Sequence, residues 1–215
     1  MKYICTACGT ESLKWSGKCP SCGQWGTLEE SEELPVEKSG TKIGTAAKYE
    51  SIFQDESKAF SSDTRISTGY TEVDRVLGTG LIPGEVVLIS GEPGIGKSTL
   101  LMQVVLKFSE KKILYVCGEE SPSQLVSRLD RLASKSDNPD NIFVTNDVVV
   151  ENIFNLVSEE KFGLVIVDSV QSVTSLSSKG YPGSISQVRA SGSLLTRMSK
   201  VTGVPSLLVG QINKG

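Results

Sequence analysis

Residues 91–98 read Gly91-Glu92-Pro93-Gly94-Ile95-Gly96-Lys97-Ser98. This stretch matches the pattern GxxxxGK[ST], in which glycines let the backbone wrap tightly and turn its amide groups toward phosphate oxygens. It follows the apolar segment Val86–Ser90 and opens a helical pattern that begins near Lys97. The alternative is a glycine-rich turn without a ligand, but such a turn does not require a strand before it and a helix N-terminus after it. A strand, this loop and a helix N-terminus in that order predict a phosphate-binding P-loop.

Short apolar segments alternate with helical patterns on both sides of the loop. They are rich in Val, Ile and Leu throughout, as strands of a parallel sheet covered on both faces are. The predicted strands are Val86–Ser90, Ile113–Cys117, Ile142–Thr145, Leu164–Asp168 and Ser206–Gly210. The alternation predicts an α/β fold with a mainly parallel sheet flanked by helices.

The strand Leu164–Asp168 ends in a carboxylate, the Walker B form. Many buried strands end in Asp at a turn, but a core strand in a P-loop protein favours a role in holding Mg²⁺. Lys97 is expected to reach the β- and γ-phosphates, and the Ser98 hydroxyl to ligate Mg²⁺. The predicted site for ATP and Mg²⁺ comprises Gly91, Glu92, Pro93, Gly94, Ile95, Gly96, Lys97, Ser98, Thr99 and Asp168.

Two further carboxylates, Glu119 and Glu120, follow the strand Ile113–Cys117. Ligands of an open parallel sheet bind at the carboxyl ends of its strands, so we expect this pair at the nucleotide edge. Acidic residues also favour helix N-termini for electrostatic reasons alone. We predict that one of the two activates the attacking water, Glu119 ahead of Glu120.

The N-terminal residues contain two CxxC pairs, Cys5/Cys8 and Cys19/Cys22, separated by ten residues. Each pair is followed by a glycine, Gly9 or Gly23, which permits a tight turn. Four thiolates fit a closed tetrahedral Zn²⁺ site with a structural role; iron is chemically possible but less common in this arrangement. The fifth cysteine, Cys117, lies in a predicted core strand and is expected to be a small buried hydrophobe.

Two tryptophans, Trp15 and Trp25, accompany Lys14 and Lys18 in this module. Aromatic and basic residues together can stack on single-stranded nucleic acid. The favoured interpretation is that the tryptophans form the small core of the module and the lysines solubilise it. A protein-docking role for the module is equally open.

The 215 residues provide room for one ordinary domain and a small module. The predicted division is a zinc module at 1–28, a polar linker at 29–62 that starts with an acidic run, and an α/β core at 63–215. A net charge of −3 offers no global basic field for nucleic acid. No apolar run approaches the ~18 residues of a membrane span, and paired CxxC motifs suit a reducing cytoplasm.

Five further motifs accompany the cysteine pairs and the P-loop. They are Lys14-Trp15-Ser16-Gly17-Lys18-Cys19-Pro20, Thr68-Gly69-Tyr70-Thr71-Glu72-Val73-Asp74-Arg75-Val76-Leu77-Gly78, Pro83-Gly84, Cys117-Gly118-Glu119-Glu120-Ser121 and Pro182-Gly183-Ser184-Ile185-Ser186-Gln187-Val188-Arg189. With these motifs the sequence resembles the RadA (Sms) family of bacterial DNA-repair proteins over nearly its whole length. The zinc module and the P-loop core occur in the family's order, which makes the resemblance specific.

The resemblance implies a RecA-like ATPase that binds single-stranded or branched DNA, processes recombination intermediates, works with recombination proteins and assembles as a hexamer related to helicases. It also implies a longer chain with a Lys-Asn-Arg-Phe-Gly motif and a Lon-protease-like domain, so we expect the core to be truncated at its C-terminal end. Two positions depart from the family: Gln211 replaces the usual His, and Thr79 replaces a usual glycine. A glutamine can still sense the γ-phosphate by hydrogen bonding, but it cannot titrate.

Two functions from different classes follow. The first is a DNA-dependent ATPase in which Lys97, Glu119, Glu120 and Gln211 are the catalytic residues. The second is an adaptor that binds ATP without hydrolysing it and recruits a protein partner through the zinc module. DNA-stimulated phosphate release separates them, and a small-molecule kinase is disfavoured because it has no use for the Glu119/Glu120 pair.

Overall fold

The computed structural model describes residues 2–31, 65–108, 111–134, 137 and 139–212. These residues fall into two compact units, divided between Thr64 and Arg65. The predicted linker lies outside the described residues beyond Ser31. Among the described helices, none combines the length and the apolar composition needed to cross a bilayer.

The first unit contains a three-stranded antiparallel sheet in the order β2-β1-β3. Its strands are β1 (Lys2–Cys5), β2 (Glu11–Ser12) and β3 (Leu28–Ser31). The pairing of Cys5 with Leu28 brings the buried Leu28 side chain against the cysteines. Residues 29–31, predicted as the start of the linker, therefore belong to a strand, because β1 offers them a backbone partner.

The second unit is a parallel α/β domain. Its strands are β4 (Val86–Gly91), β5 (Lys112–Cys117), β6 (Ile142–Thr145), β7 (Phe162–Asp168) and β8 (Ser206–Gln211). Its helices are α1 (Thr71–Val76), α2 (Lys97–Lys107), α3 (Pro122–Leu132), α4 (Val150–Glu159) and α5 (Ile185–Thr202). The strands form one parallel sheet in the order β4-β8-β7-β5-β6, which confirms the predicted fold class.

Apolar cores lie on both faces of this sheet, which explains why its strands lack polar alternation. Successive residues of β5 show the division: Tyr115 packs with residues of α2 and α3, whereas Leu114 and Val116 pack with residues of α4 and α5. Successive side chains of a strand point to opposite faces, so a strand buried on both sides must be apolar throughout. The sheet is thus the central layer of three.

The segment before β4 is held by Asp74. Its carboxylate accepts hydrogen bonds from the Ser67 hydroxyl (2.6 Å) and from the backbone N–H (2.8 Å) and hydroxyl (2.7 Å) of Thr68.

At Gly69, a side chain would place its Cβ 2.7 Å from the carbonyl oxygen of Lys107, so only glycine fits. Thr79 has a φ of +85°, a conformation that suits the glycine usual in the resembling family better than a β-branched residue.

Candidate nucleotide site and metal centre

The predicted nucleotide site lies where four neighbouring strands end. The strand order places β4, β8, β7 and β5 side by side. The strand register aligns the predicted site residues at this edge of the sheet. Gly91, at the start of the P-loop, lies opposite Gln211, and Cys117, which precedes the Glu119/Glu120 segment, lies opposite Asp168. Parallel strands deliver their carboxyl ends to the same edge, so residues far apart in sequence meet here.

The P-loop adopts the conformation that its glycines permit. Gly94 and Gly96 have φ values of +78° and +101°, and Gly96 is the N-cap of α2. A Cβ at either position would meet no atom within 4 Å, so backbone conformation rather than crowding requires glycine. The Lys97 Nζ donates hydrogen bonds of 2.8 Å to the carbonyls of Gly91 and Glu92, which places its ammonium group inside the curve of the loop.

The Ser98 hydroxyl and the Asp168 carboxylate line one cavity. Both offer hard oxygen atoms, the ligand type that Mg²⁺ prefers, so this donor set fits the ion. The Tyr115 hydroxyl donates a 2.9 Å hydrogen bond to Asp168 Oδ2. Tyr115 is 1% exposed, and burial together with the negative charge of Asp168 raises the pKa of its phenol, which therefore remains a hydrogen-bond donor.

Glu119 lies in a network that joins β5, β7 and β8. Its Oε1 accepts a 2.5 Å hydrogen bond from the Ser169 hydroxyl. The Gln211 Nε2 donates to both oxygens of the same carboxylate, at 2.9 and 3.0 Å. Glu119 is therefore fixed in orientation beside the P-loop, with Gln211 in direct contact.

Glu120 has a different partner. Its carboxylate forms an ion pair with Arg128, in the second half of α3. Ser121 caps the same helix and forms a reciprocal capping box with Gln124, so the chain turns into α3 directly after the Glu pair. The adjacent carboxylates thus serve different elements: Glu120 is engaged by Arg128 of α3, whereas Glu119 lines the cleft beside the P-loop.

A cleft of about 410 Å³ contains most of the predicted site. It is lined by Pro93, Gly94, Gly96, Lys97, Ser98, Thr99, Glu119, Arg128, Asp168, Val209 and Gln211. Gly91, Glu92 and Ile95 belong to the same loop but are not among the lining residues. Sequence reasoning missed Tyr115, Arg128 and Ser169, whose contacts depend on tertiary packing; a polar residue in the apolar strand Ile113–Cys117 was the one available signal, for Tyr115.

The four cysteines of the first unit come together as a metal-ligand cluster. Their Sγ atoms all lie within 4.8 Å of one another. Cys5 and Cys22 are 3.7 Å apart, and Cys8 and Cys19 are 3.6 Å apart. A tetrahedral site with Zn–S bonds of about 2.3 Å requires S···S separations of about 3.8 Å, so the cluster fits Zn²⁺.

The two halves of this centre are built alike. Gly9 and Gly23 have φ values of +73° and +72°, and their N–H groups donate to the carbonyls of Cys5 and Cys19. The turns expected after each CxxC pair are therefore present. Hydrogen bonds from the side chain and backbone of Thr10 lower the pKa of the Cys8 thiol to about 6, which favours the thiolate that a metal binds.

The tryptophans are not the core of the module, and that interpretation was wrong. Trp15 is 63% exposed and Trp25 76% exposed. The core consists instead of Cys5, Cys19 and Leu28, with Tyr3 and Cys8 packed against them. The cysteine cluster and one leucine fill the interior, so no space remains for an indole ring.

Comparison with known proteins agrees with both units. A family model described as an AAA domain matches residues 54–215, and one described as a rubredoxin metal binding domain matches residues 3–30. The chain belongs to the AAA domain family. Its metal module at the N-terminus matches the second description over the range that contains all four cysteines.

Relatives found for this chain include several proteins named DNA repair protein RadA. The one from Aquifex aeolicus is 41% identical over 217 residues, and the one from Bacillus subtilis 40% identical over 220 residues. The one from Escherichia coli is 35% identical over 224 residues. These alignments cover 99% of this chain but only 46–47% of each relative, so the chain spans a little under half of their length.

Proposed function

We propose that this protein is a DNA-dependent ATPase of DNA repair that processes recombination intermediates in the cytoplasm. The observation that carries the proposal is the convergence of the P-loop, Asp168 and Glu119 in one cleft. A phosphate-binding loop alone would serve many functions, but a carboxylate held beside it adds the means to activate water. The similarity to proteins named DNA repair protein RadA supports DNA as the partner. A homo-oligomer is part of the same proposal and rests on the resemblance of the sequence motifs.

In the proposed reaction, Lys97 and backbone N–H groups of the P-loop, to which Pro93 contributes none, bind the phosphates of ATP. Ser98 and Asp168 would hold Mg²⁺, whose charge offsets the charge of the β- and γ-phosphates. Glu119 orients a water molecule and accepts its proton as the oxygen attacks the γ-phosphorus. The bond from that phosphorus to the bridging oxygen breaks, and ADP and phosphate leave.

Gln211 is proposed to report the state of the nucleotide. Its amide touches both oxygens of Glu119 and lies on the wall of the cleft. A γ-phosphate that drew this amide away would free Glu119 to bind water and would move the end of β8. The amide of Gln211 carries no charge at any pH in the physiological range, so Gln211 would act by hydrogen bonding alone.

Replacing Lys97 by Ala tests the nucleotide site. We expect Lys97→Ala to abolish DNA-stimulated phosphate release and to weaken ATP binding, because the ammonium is the main protein counter-charge to the β- and γ-phosphates. Phosphate release is measured with and without single-stranded DNA, and ATP affinity by calorimetry. Equal hydrolysis by the variant and the parent would contradict the assignment.

The adaptor function is an outcome of the same experiment. A parent protein that binds Mg·ATP tightly, assembles, and releases no phosphate with any DNA would act by nucleotide binding alone.

Lys107→Ala provides the matched control for Lys97→Ala, because Lys107 pairs with Asp137 at the other end of α2 and does not line the cleft. This variant is expected to keep ATP binding and hydrolysis.

Tyr115 provides a prediction about the metal. Tyr115→Phe removes only the hydroxyl that orients Asp168, so the Mg²⁺ concentration needed for half-maximal hydrolysis is expected to rise by about 10- to 100-fold, as for other groups that orient metal ligands. ATP hydrolysis is measured across a Mg²⁺ titration. Tyr181→Phe, at an exposed position outside the cleft, is the control and should leave the titration unchanged. An unaltered Mg²⁺ requirement in Tyr115→Phe would show that the hydrogen bond does not position the metal ligand.

A further inference from the structure

The exposed tryptophans of the zinc module have no role in the proposed ATPase. They are the only two tryptophans of the chain. Both lie in the loop between β2 and β3, which also contains the second CxxC pair. An indole that is not needed in a core loses favourable burial by remaining in water. Two exposed indoles in one short loop of so small a module offer apolar surface to a ligand.

Local structure holds Trp25 in place. Lys18 and Trp25 pair as an isolated antiparallel bridge, and the Gly26 N–H donates a 2.8 Å hydrogen bond to the Gly17 carbonyl. A Cβ on Gly17 would lie 3.5 Å from the indole ring, so the ring rests along this glycine. The ring is thus supported from below by backbone while 76% of the residue stays exposed.

Lys18 is fixed beside the same ring. Its Nζ lies 5.8 Å from the centroid of the Trp25 ring, within the range of a cation–π contact. Its Cε would touch a Cβ on Gly23 at 3.6 Å, so the stem of the lysine packs over the turn that follows Cys22. The metal-binding turn therefore positions a positive charge over the ring of Trp25.

Within the loop between β2 and β3 the charges have one sign, while Glu11, Glu29 and Glu30 lie in the strands that border it. From Ser12 to Leu28 the charged side chains, apart from the metal-binding thiols, are Lys14 and Lys18, and both are exposed. Ser16 Oγ donates a 2.6 Å hydrogen bond to the Lys18 carbonyl, which holds the turn between Trp15 and Lys18. Indole rings with neighbouring cations match the bases and phosphates of a single strand, whereas a protein-docking surface favours a contiguous apolar patch.

We infer that Trp15, Trp25, Lys14 and Lys18 form a binding surface for single-stranded nucleic acid. Bases stack on the indoles, and the lysines contact the phosphates that connect those bases. Stacking of this kind tolerates any sequence, because every base has a π-face. The surface acts without ATP, so it goes beyond the proposed function and does not depend on it.

The experiment titrates the full zinc-loaded chain with an oligothymidylate of about 20 nucleotides, longer than the roughly 4–16 nucleotides that a small module covers. No nucleotide cofactor is added. Two signals are followed: the anisotropy of a dye on the oligonucleotide, which reports all binding, and the intrinsic tryptophan emission, which reports only Trp15 and Trp25. We expect the emission to be quenched along the same binding curve as the anisotropy.

Substitutions then separate stacking from charge. Trp25→Ala and Trp15→Ala should each weaken binding by about 5- to 150-fold, and Trp25→Phe should recover much of the loss. Lys18→Gln should reduce the slope of log K against log salt by about 0.7. Leu13→Ala is the control, because Leu13 is 78% exposed in the same segment but has no π-face, and it should bind like the parent.

Zinc content is measured for every variant, and one zinc per chain shows that the module remains folded. Anisotropy that rises while tryptophan emission stays constant would place binding on the core and overturn the inference. The inference would also be overturned if folded Trp15→Ala and Trp25→Ala both bound the oligonucleotide with the affinity of the parent, or if the parent did not bind it. A parent protein whose tryptophan emission is quenched by the oligonucleotide, but which hydrolyses no ATP in a separate assay, would count against the proposed function alone.

Discussion

Glu119→Gln is expected to lower the rate of ATP hydrolysis by about 10²- to 10⁴-fold, the contribution of a positioned general base. The amide keeps the shape of the carboxylate and can still accept a hydrogen bond from Ser169 or Gln211. It cannot accept a proton from water. Affinity for Mg·ATP should change little, because Lys97, Ser98 and Asp168 are untouched. Single-turnover phosphate release and equilibrium ATP binding measure the two quantities.

Glu120→Gln is the matched control, since it makes the same chemical change one residue away. Its carboxylate is engaged by Arg128, so the substitution breaks a partly exposed ion pair, which costs roughly 0–1 kcal/mol of stability, and should slow hydrolysis far less. A larger loss in Glu120→Gln would exchange the two roles, and no loss in either would remove the base from the mechanism. Each variant is compared at the same oligomeric state, because the proposed function includes a homo-oligomer and a change of assembly would alter the rate for another reason.

The fold was predictable because its signals are local and mutually consistent. All five strands are rich in Val, Ile and Leu, and the three inner strands β5, β7 and β8 are buried on both faces as that composition predicts. The observed strands differ from the predicted ones by at most two residues at an end. The glycines at positions 94 and 96 adopt positive φ as the motif requires. The convergence of Lys97, Glu119 and Asp168 followed from the rule that strand ends of a parallel sheet share an edge.

What escaped the sequence depends on contacts across the sheet. Tyr115 is one polar residue in an apolar strand, and its direction toward Asp168 follows only from the β5–β7 register. The Arg128 pairing depends on where α3 begins. The tryptophans were assigned to a core because large apolar residues are usually buried, but the cysteine cluster already occupies that interior.

That cluster is also why zinc removal should have the second large effect. The apolar interior of the module consists of Cys5, Cys19 and Leu28 with two partly buried neighbours, and a unit of about 30 described residues cannot bury enough surface to fold without a metal or disulfides. Structural zinc contributes about 10–16 kcal/mol of binding free energy at neutral pH, more than the whole stability of most small domains.

Chelation or Cys19→Ser should therefore release one zinc per chain and collapse the amide NMR dispersion of residues 2–31, while signals of β4 to β8 persist. Cys117→Ser is the control: that thiol lies in β5 and donates to the Thr145 carbonyl, so zinc content should stay at one per chain. A Cys19→Ser module that kept both its zinc and its dispersed spectrum would contradict a four-cysteine structural site.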